Sequence, residues 1–140
     1  MAAPEPIPAQ AFELLDVRGQ EQAKRALIIA AAGNHNMLMC GPPGTGKTML
    51  AQRLRGLLAP LSEAQALELG AINSSLGVFD AATWRQPPWR APHHSASAVS
   101  LVGGGRVPRA GEISQAHHGV LFLDELPEFK RSVLEVMRQP

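Results

Sequence analysis

The sequence contains a single cysteine, Cys40, among its 140 residues. One thiol cannot form an intramolecular disulfide, which fits a reducing compartment. Long apolar runs are also missing, since the longest, residues 26–32, is far shorter than the ~20 residues that cross a bilayer. Residues 1–10 hold three prolines and lack the basic and apolar regions of a secretory signal. These absences predict a soluble, cytoplasmic protein with no membrane partner.

The sequence also lacks an excess of charge of either sign, because it has 13 Lys and Arg residues and 12 Asp and Glu residues, for a net charge of +1. Acidic residues are absent from residues 81–111, which suits two different roles. One is contact with single-stranded nucleic acid through phosphates and stacked bases, and the other is a basic loop packed on a neighbouring subunit. The residues concerned are Arg85, Arg90, Arg106, Arg109 and the interleaved Trp84 and Trp89.

Hydrophobic periodicity predicts alternating helices and strands. Helical spacing of apolar residues covers 19–33, where Gly33 is placed to end the helix, and 47–58. Ser62 and Gln65 have the spacing of a capping box, so a helix is expected from Glu63. Apolar runs at 36–40 and 120–123 indicate buried strands, and residues 73–110 are irregular with room for a short strand or hairpin. Brief helices are expected between Gly111 and Gly119 and after Pro127.

This alternation is typical of an α/β fold in which helices flank a parallel sheet. Residues 1–15 are expected to form a flexible, proline-rich lead, and residues 16–140 a single domain.

Residues 41–48 read GPPGTGKT, a full match to the phosphate-binding pattern G-x-x-x-x-G-K-[ST]. Glycines allow the backbone N–H groups to turn inward around phosphate oxygens, and the following helix adds its N-terminal dipole. Lys47 is placed to reach the β- and γ-phosphates, and the Thr48 hydroxyl to ligate Mg²⁺. The predicted nucleotide-binding residues are Gly41, Pro42, Pro43, Gly44, Thr45, Gly46, Lys47, Thr48 and Met49.

Two carboxylates follow the apolar run VLFL, at Asp124 and Glu125. In open α/β sheets, ligands bind at the carboxyl ends of the strands. Asp124 is therefore predicted to hold Mg²⁺ through water, and Glu125 to act as the general base that polarises the attacking water. Together with the phosphate loop, the pair indicates a nucleotide-binding protein that hydrolyses its ligand.

Two pairs of adjacent histidines remain, His93–His94 and His117–His118. With one distant cysteine they lack the spacing of a zinc site. Packing, hydrogen bonds to the backbone or contacts across subunits are the expected roles.

Four stretches together resemble the magnesium-chelatase-like AAA+ ATPases, in particular the bacterial ComM type. The His-His loop and the GEISQAHHGVLFLDELPEF block discriminate best, because the phosphate loop is shared by many families. The stretches are DVRGQEQAKRAL, GPPGTGKTMLAQRL, APHHSAS followed by LVGGG, and PRAGEISQAHHGVLFLDELPEF.

The resemblance implies a P-loop NTPase fold, ATP with Mg²⁺ as the cofactors, and self-association into a ring, with a hexamer the expected form. It places residues 16–20 near the adenine. ComM-type proteins are linked to DNA branch migration in natural transformation, whereas chelatase relatives drive Mg²⁺ insertion into a porphyrin. The family continues with a sensor strand, an arginine finger and a helical lid, so residues 16–140 are expected to be a partial AAA+ domain. A fragment that binds ATP without hydrolysing it is the further alternative.

Overall fold

The computed structural model describes residues 14–106 and 108–138, and the chain divides between Ala59 and Pro60 into two compact units. The described part of the first unit is helical. Its elements are a 3₁₀ turn at Leu14–Asp16, helix α1 (Glu21–Gly33), helix α2 (Lys47–Arg53) and a 3₁₀ turn at Leu54–Leu57. Most of the predicted flexible lead lies outside the described residues, and its last two residues, Leu14 and Leu15, begin the first 3₁₀ turn.

Helix α1 forms where the apolar stripe predicted it. Leu27 and Ala30 are buried on its inner face, whereas Ile28 and Ile29 are about half exposed. The helix ends at Gly33, as expected, but the residue that turns the chain is the next one. Asn34 has φ 53° and its N–H donates to the Ala30 carbonyl, which caps the helix.

The core of the first unit is small. Val17, Leu27 and Leu50 are its buried residues, and partly buried side chains surround them: Leu14, Ala23, Met39, Leu54 and Leu57. Because Leu50 belongs to this core, burial of one face of α2 positions the residues before it. Helix α2 stops at Arg53 and tightens into a 3₁₀ turn, so the regular helix predicted to Leu58 is shorter than expected. Gly56 in that turn is a poor helix former.

The prediction of a strand at residues 36–40 is wrong, because these residues form no strand in the structure. Leu38 is 73% exposed, and of this run only Met39 packs against the core. An apolar run cannot reveal whether a neighbouring strand exists to supply hydrogen bonds, and that pairing is what defines a strand.

The second unit mixes helices with short strands. Its elements in chain order are helix α3 (Glu63–Ser75), a 3₁₀ turn at Ala81–Thr83, strand β1 (Trp89–Arg90), helix α4 (Ala98–Val102), strands β2 (Gly103–Gly104) and β3 (Arg109–Ala110), helix α5 (Glu112–Gln115), strand β4 (Val120–Leu121), a 3₁₀ turn at Leu126–Glu128 and helix α6 (Arg131–Val136).

Two strand pairs are present in the described residues. β1 and β4 run parallel, with Trp89 opposite Val120 and Arg90 opposite Leu121. β2 and β3 are antiparallel and confirm the hairpin expected in the irregular segment. Gly103 has φ 95°, and a Cβ there would overlap the Arg109 carbonyl, so only glycine fits this position.

Helix α3 has the predicted capping box. The Gln65 N–H donates to the Ser62 hydroxyl, and the Ser62 N–H donates to the Gln65 side chain. Its buried residues Ala66 and Leu69 form a core with Leu61, against which Trp84 packs. A further core joins α4 to α6 through Leu101, Phe129 and Val133, with Leu134 and Met137 packed beside them. The mixed helix and strand composition with a parallel pair confirms the α/β class.

Candidate functional site

The glycine-rich loop precedes α2 directly. Gly44 and Gly46 have φ of 77° and 80°, in the left-handed region that glycine adopts without strain. Gly46 is also the residue directly before α2, at the N-cap position, and it has no side chain to cap the helix. The first N–H groups of a helix have no partner within the helix. The loop therefore leads directly into a helix whose first N–H groups have no side-chain cap from Gly46.

Lys47 folds back over this loop. Its Nζ donates to the carbonyl oxygens of Gly41 and Pro42, each at 2.8 Å. The Thr45 hydroxyl donates to the same Pro42 carbonyl at 2.9 Å. A primary ammonium group has three donors and needs acceptors around it. The loop's own carbonyls supply two of them, so the Lys47 charge is held at the loop.

The glycines of the loop differ in how closely an added Cβ would approach its neighbours, and Gly41 has room for one. A Cβ there would lie 3.5 Å from Thr45 Oγ1 and 3.9 Å from Lys47 Cδ, in ordinary contact with both. A Cβ on Gly46 would approach Met49 Cε to 3.3 Å, tighter than most real contacts. Pro42, Pro43, Gly44, Thr45, Thr48 and Met49 are exposed, and Gly46 and Lys47 are half-buried.

Asp124 and Glu125 belong to the second unit. Strand β4 ends at Leu121, and the Phe122 N–H continues the parallel ladder by donating to the Arg90 carbonyl at 2.8 Å. Asp124 follows two residues later and so lies just beyond a parallel strand, as predicted. The strand is shorter than residues 120–123, and it is half-buried instead of buried.

The backbone of Glu125 adopts a conformation unusual for a non-glycine residue, with φ 52° and ψ 47°. Its N–H donates to Asp124 Oδ1 at 2.9 Å, and its carbonyl accepts from the Glu128 N–H at 2.8 Å. The Glu125 side chain is 67% exposed. The turn thus fixes the Glu125 backbone and leaves its carboxylate open to solvent.

His94 is the basic side chain beside this turn. Its Nε2 lies 3.9 Å from Glu125 Oε2, too far for a direct hydrogen bond, and its ring packs edge-on to Phe129. The neighbouring His93 accepts at Nδ1 from the Ser95 N–H at 3.2 Å. These contacts agree with the packing and hydrogen-bonding roles expected for the first histidine pair.

The second histidine pair has a partner that the sequence did not identify. Nε2 of His118 lies 2.6 Å from Glu68 Oε2, and Nε2 of His117 lies 3.3 Å from the same oxygen. Hydrogen bonds from His118 and then His117 lower the pKa of the Glu68 carboxyl. Glu68 lies on α3, about fifty positions earlier, and a sequence separation of this size carries no local signal.

Two of the four arginines in the segment without acidic residues have structural partners. Arg90 forms two hydrogen bonds with Glu112, of 2.6 and 2.7 Å, and these raise the pKa of its guanidinium. Arg85 Nε donates to the Leu61 carbonyl at 2.7 Å. Arg106 and Arg109 are exposed.

The tryptophans of this segment pack internally. Trp89 stacks on Phe122 with ring centroids 5.5 Å apart, and Trp84 meets Phe79 edge-on at 6.4 Å. Trp84 and Trp89 are half-buried, and Trp84 also packs against the core formed by Leu61, Ala66 and Leu69. These contacts favour internal packing over base stacking as the role of the tryptophans.

Comparison with known proteins gives the family. The model of the family described as magnesium chelatase, subunit ChlI, matches residues 13–140. The chain belongs to this family. The resemblance to magnesium-chelatase-like AAA+ ATPases, drawn from four stretches of sequence, is thereby confirmed.

Individual relatives agree with the family match. The chain is 58% identical over 130 residues to competence protein ComM of Haemophilus influenzae, and the matched stretch covers 92% of the chain. It is 58% identical over 137 residues to protein YifB of Salmonella typhimurium, covering 95% of the chain. A more distant match is the magnesium-chelatase 67 kDa subunit of Heliobacterium mobile, 29% identical over 143 residues, with 81% of the chain covered. The chain spans 26% of the length of ComM and of YifB and 22% of the chelatase subunit.

No helix within the described part of the chain is both long enough and apolar enough to cross a bilayer.

Proposed function

We propose that this chain is the nucleotide-binding core of an ATP-hydrolysing AAA+ protein of the ComM type, with the P-loop NTPase fold. The observation that carries the proposal is Lys47 Nζ held on the carbonyls of Gly41 and Pro42 in a loop with left-handed glycines at 44 and 46. A cationic group, a glycine cradle and an uncapped helix start together favour an anionic oxygen ligand. The residues present therefore fit a nucleoside triphosphate.

The proposed site has a phosphate-binding loop, two ligands for Mg²⁺ and a general base. The backbone of residues 41–46 and the Lys47 ammonium hold the phosphates, and Pro42, Pro43 and Met49 line the loop around them. Thr48 and Asp124 hold the Mg²⁺, whose charge offsets that of the phosphate oxygens. Glu125 accepts a proton from the attacking water, and its exposed carboxylate supports that role. Residues 16–20 contribute to the adenine site.

MgATP, when bound, supplies a phosphoryl group whose transfer to water releases free energy. The complete protein is proposed to use it in the cytoplasm as a ring, with a hexamer the expected form, and to act on branched DNA. The 58% identity to a protein named for competence supports this choice.

The second candidate is a motor subunit for Mg²⁺ insertion into a porphyrin. The family model and the chelatase subunit of Heliobacterium mobile support it, but the 29% identity to that subunit is half the identity to ComM. Stimulation of ATP turnover by branched DNA, with none by porphyrin and Mg²⁺, would support the first candidate over the second. The reverse pattern would decide for metal insertion.

The proposed site is tested by a thermal melt of the chain with and without millimolar MgATP. A ligand that binds only the folded state stabilises it by about 2.7 kcal/mol at a hundredfold excess over its Kd. We expect the chain to melt at a higher temperature with MgATP and Lys47→Ala to lose that shift. Lys24→Ala is the matched control, because Lys24 is a half-buried lysine of the same unit that pairs with Glu21 instead. An equal shift in Lys47→Ala would contradict the proposal.

A further inference from the structure

A cluster of ligand-type side chains includes none of the residues proposed to hold nucleotide. Glu68 on α3 and the adjacent His117 and His118, in the turn after α5, bring one carboxylate oxygen and two imidazole nitrogens within 4.8 Å of one another. Both Nε2 atoms face the same oxygen, Glu68 Oε2. Three donors from two separate elements converge on a single point.

The local backbone explains how two neighbouring histidines can face one oxygen. His118 has φ 62°, in the left-handed region that few non-glycine residues adopt. The two rings lie 3.8 Å apart between centroids and are tilted by 43°. In an extended strand, successive side chains point to opposite faces. The left-handed residue therefore provides a geometry that a regular strand would not.

We propose that Glu68, His117 and His118 bind a divalent transition-metal ion of the zinc class, with water completing its coordination. Two imidazole nitrogens and one carboxylate oxygen form the donor set of many zinc sites that keep an open position. Mg²⁺ prefers oxygen donors, so the cluster is distinct in chemistry from the Mg²⁺ position proposed at Thr48 and Asp124.

The observed distances between the ligand atoms are close to those that a bound zinc ion requires. Bonds of about 2.0–2.2 Å from zinc to nitrogen and oxygen place tetrahedral ligand atoms about 3.3–3.5 Å apart. The separation of His117 Nε2 from Glu68 Oε2 is 3.3 Å, and that of His118 Nε2 is 2.6 Å. Of these two distances to Glu68 Oε2, only the second must widen, by less than about 1 Å. Glu68 can supply that movement because its side chain is 59% exposed.

A bound ion would join parts of the second unit that are distant in sequence. Glu68 and His118 are separated by 50 positions, and α3 packs against α5. His118 lies two residues before β4, the strand that leads to Asp124 and Glu125. An ion held by both elements would stabilise the folded arrangement of this unit, because the unfolded chain does not bring the three ligands together.

The test is calorimetric titration of the metal-free chain, without a histidine tag, with ZnCl₂ in excess MgCl₂. We expect one Zn²⁺ per chain, and an affinity at least about tenfold lower in Glu68→Gln and in His118→Gln, since each removes one of three ligands. His93→Gln is the matched control, because it alters the other adjacent histidine pair, which belongs to no group of three converging ligand atoms among the described residues. Titration with CoCl₂ should give a visible absorption band that is lost with the same variants.

Several results would overturn the proposal. Wild-type chain that shows no saturable Zn²⁺ binding would mean that the cluster is a hydrogen-bonded ion pair only. Equal losses in His93→Gln and His118→Gln would mean that histidines bind the ion nonspecifically, whether or not the variants are folded. Binding retained in His117→Gln/His118→Gln would place the ion elsewhere. None of these outcomes depends on nucleotide binding, so they leave the proposed function untouched.

Discussion

Glu125 combines a constrained backbone with a solvent-exposed carboxylate. Its left-handed φ of 52° costs energy in a non-glycine residue, and the bonds to Asp124 Oδ1 and from the Glu128 N–H hold it in place. Backbone strain of this kind is often found where a side chain must be presented in a defined direction. This agrees with the role proposed for Glu125 as general base.

The prediction at this position separates binding from hydrolysis. Glu125→Gln should lower ATP turnover by about 10²-fold or more, because an amide cannot accept the proton from water. The rise in melting temperature with MgATP should persist, since the change leaves the loop at 41–47 intact. Phosphate release and thermal melts measure the two effects.

Glu128→Gln is the control for this experiment, because Glu128 lies in the 3₁₀ turn that directly follows Glu125 and has no proposed role. If both variants turned over ATP at the wild-type rate, Glu125 would not be the general base. Wild-type chain that binds MgATP but releases no phosphate would instead support the alternative of a non-hydrolysing piece.

At the scale of the element, α3 is the helix whose start is specified most fully by sequence. Ser62 and Gln65 satisfy each other's backbone N–H groups, and α3 carries the buried residues Ala66 and Leu69 as well as Glu68. The capping box therefore fixes the start of the helix that presents the proposed metal ligand.

Removing the cap should destabilise the chain. Ser62→Ala should lower the free energy of unfolding by about 1 kcal/mol, because the Gln65 N–H loses its acceptor at the helix start. Urea denaturation followed by circular dichroism measures the change. Ser74→Ala, on the exposed surface near the end of the same helix, should have little effect. An equal loss in both variants would argue against the cap as the cause.

At the scale of the whole molecule, contacts between residues distant in sequence hold the second unit together. The Glu68 pair with His118 and His117 spans about fifty positions, and the Arg90–Glu112 pair spans 22. Hydrogen bonds lower the pKa of Glu68 below its ordinary value of 4.5 in the folded state. The unfolded chain therefore takes up a proton that the folded chain does not, and acid favours unfolding.

This contribution has a definite pH window. It is fully present above the ordinary pKa of 4.5 and is lost as the pH falls through the lower folded pKa. With EDTA present to exclude metal, wild type should be more stable than Glu68→Gln at neutral pH, and the difference should shrink below about pH 4.5. Because Glu68 is exposed, solvent screening keeps the effect small. A difference that stays constant from pH 7 to pH 3 would contradict this assignment.

The sequence by itself determined features that depend on neighbouring residues. The α1 stripe, the α3 capping box and the GPPGTGKT loop with left-handed glycines all follow from local spacing and backbone preference. The sequence also predicts the short helix after Gly111, because glycines lie at both of its ends. It predicts the strand before Asp124 from an apolar run.

Only the tertiary structure decided what depends on distant partners. Residues 36–40 form no strand, because an apolar run needs a hydrogen-bonded neighbour that spacing cannot supply. Arg90 forms an ion pair with Glu112, and the tryptophans pack on phenylalanines, whereas the sequence had left nucleic-acid contact as an open alternative. Glu68 joins His117 and His118 because α3 packs against α5. These cases have one physical reason. Strand pairing, ion pairs and clusters of ligand atoms form only when folding brings together residues that are far apart in the sequence.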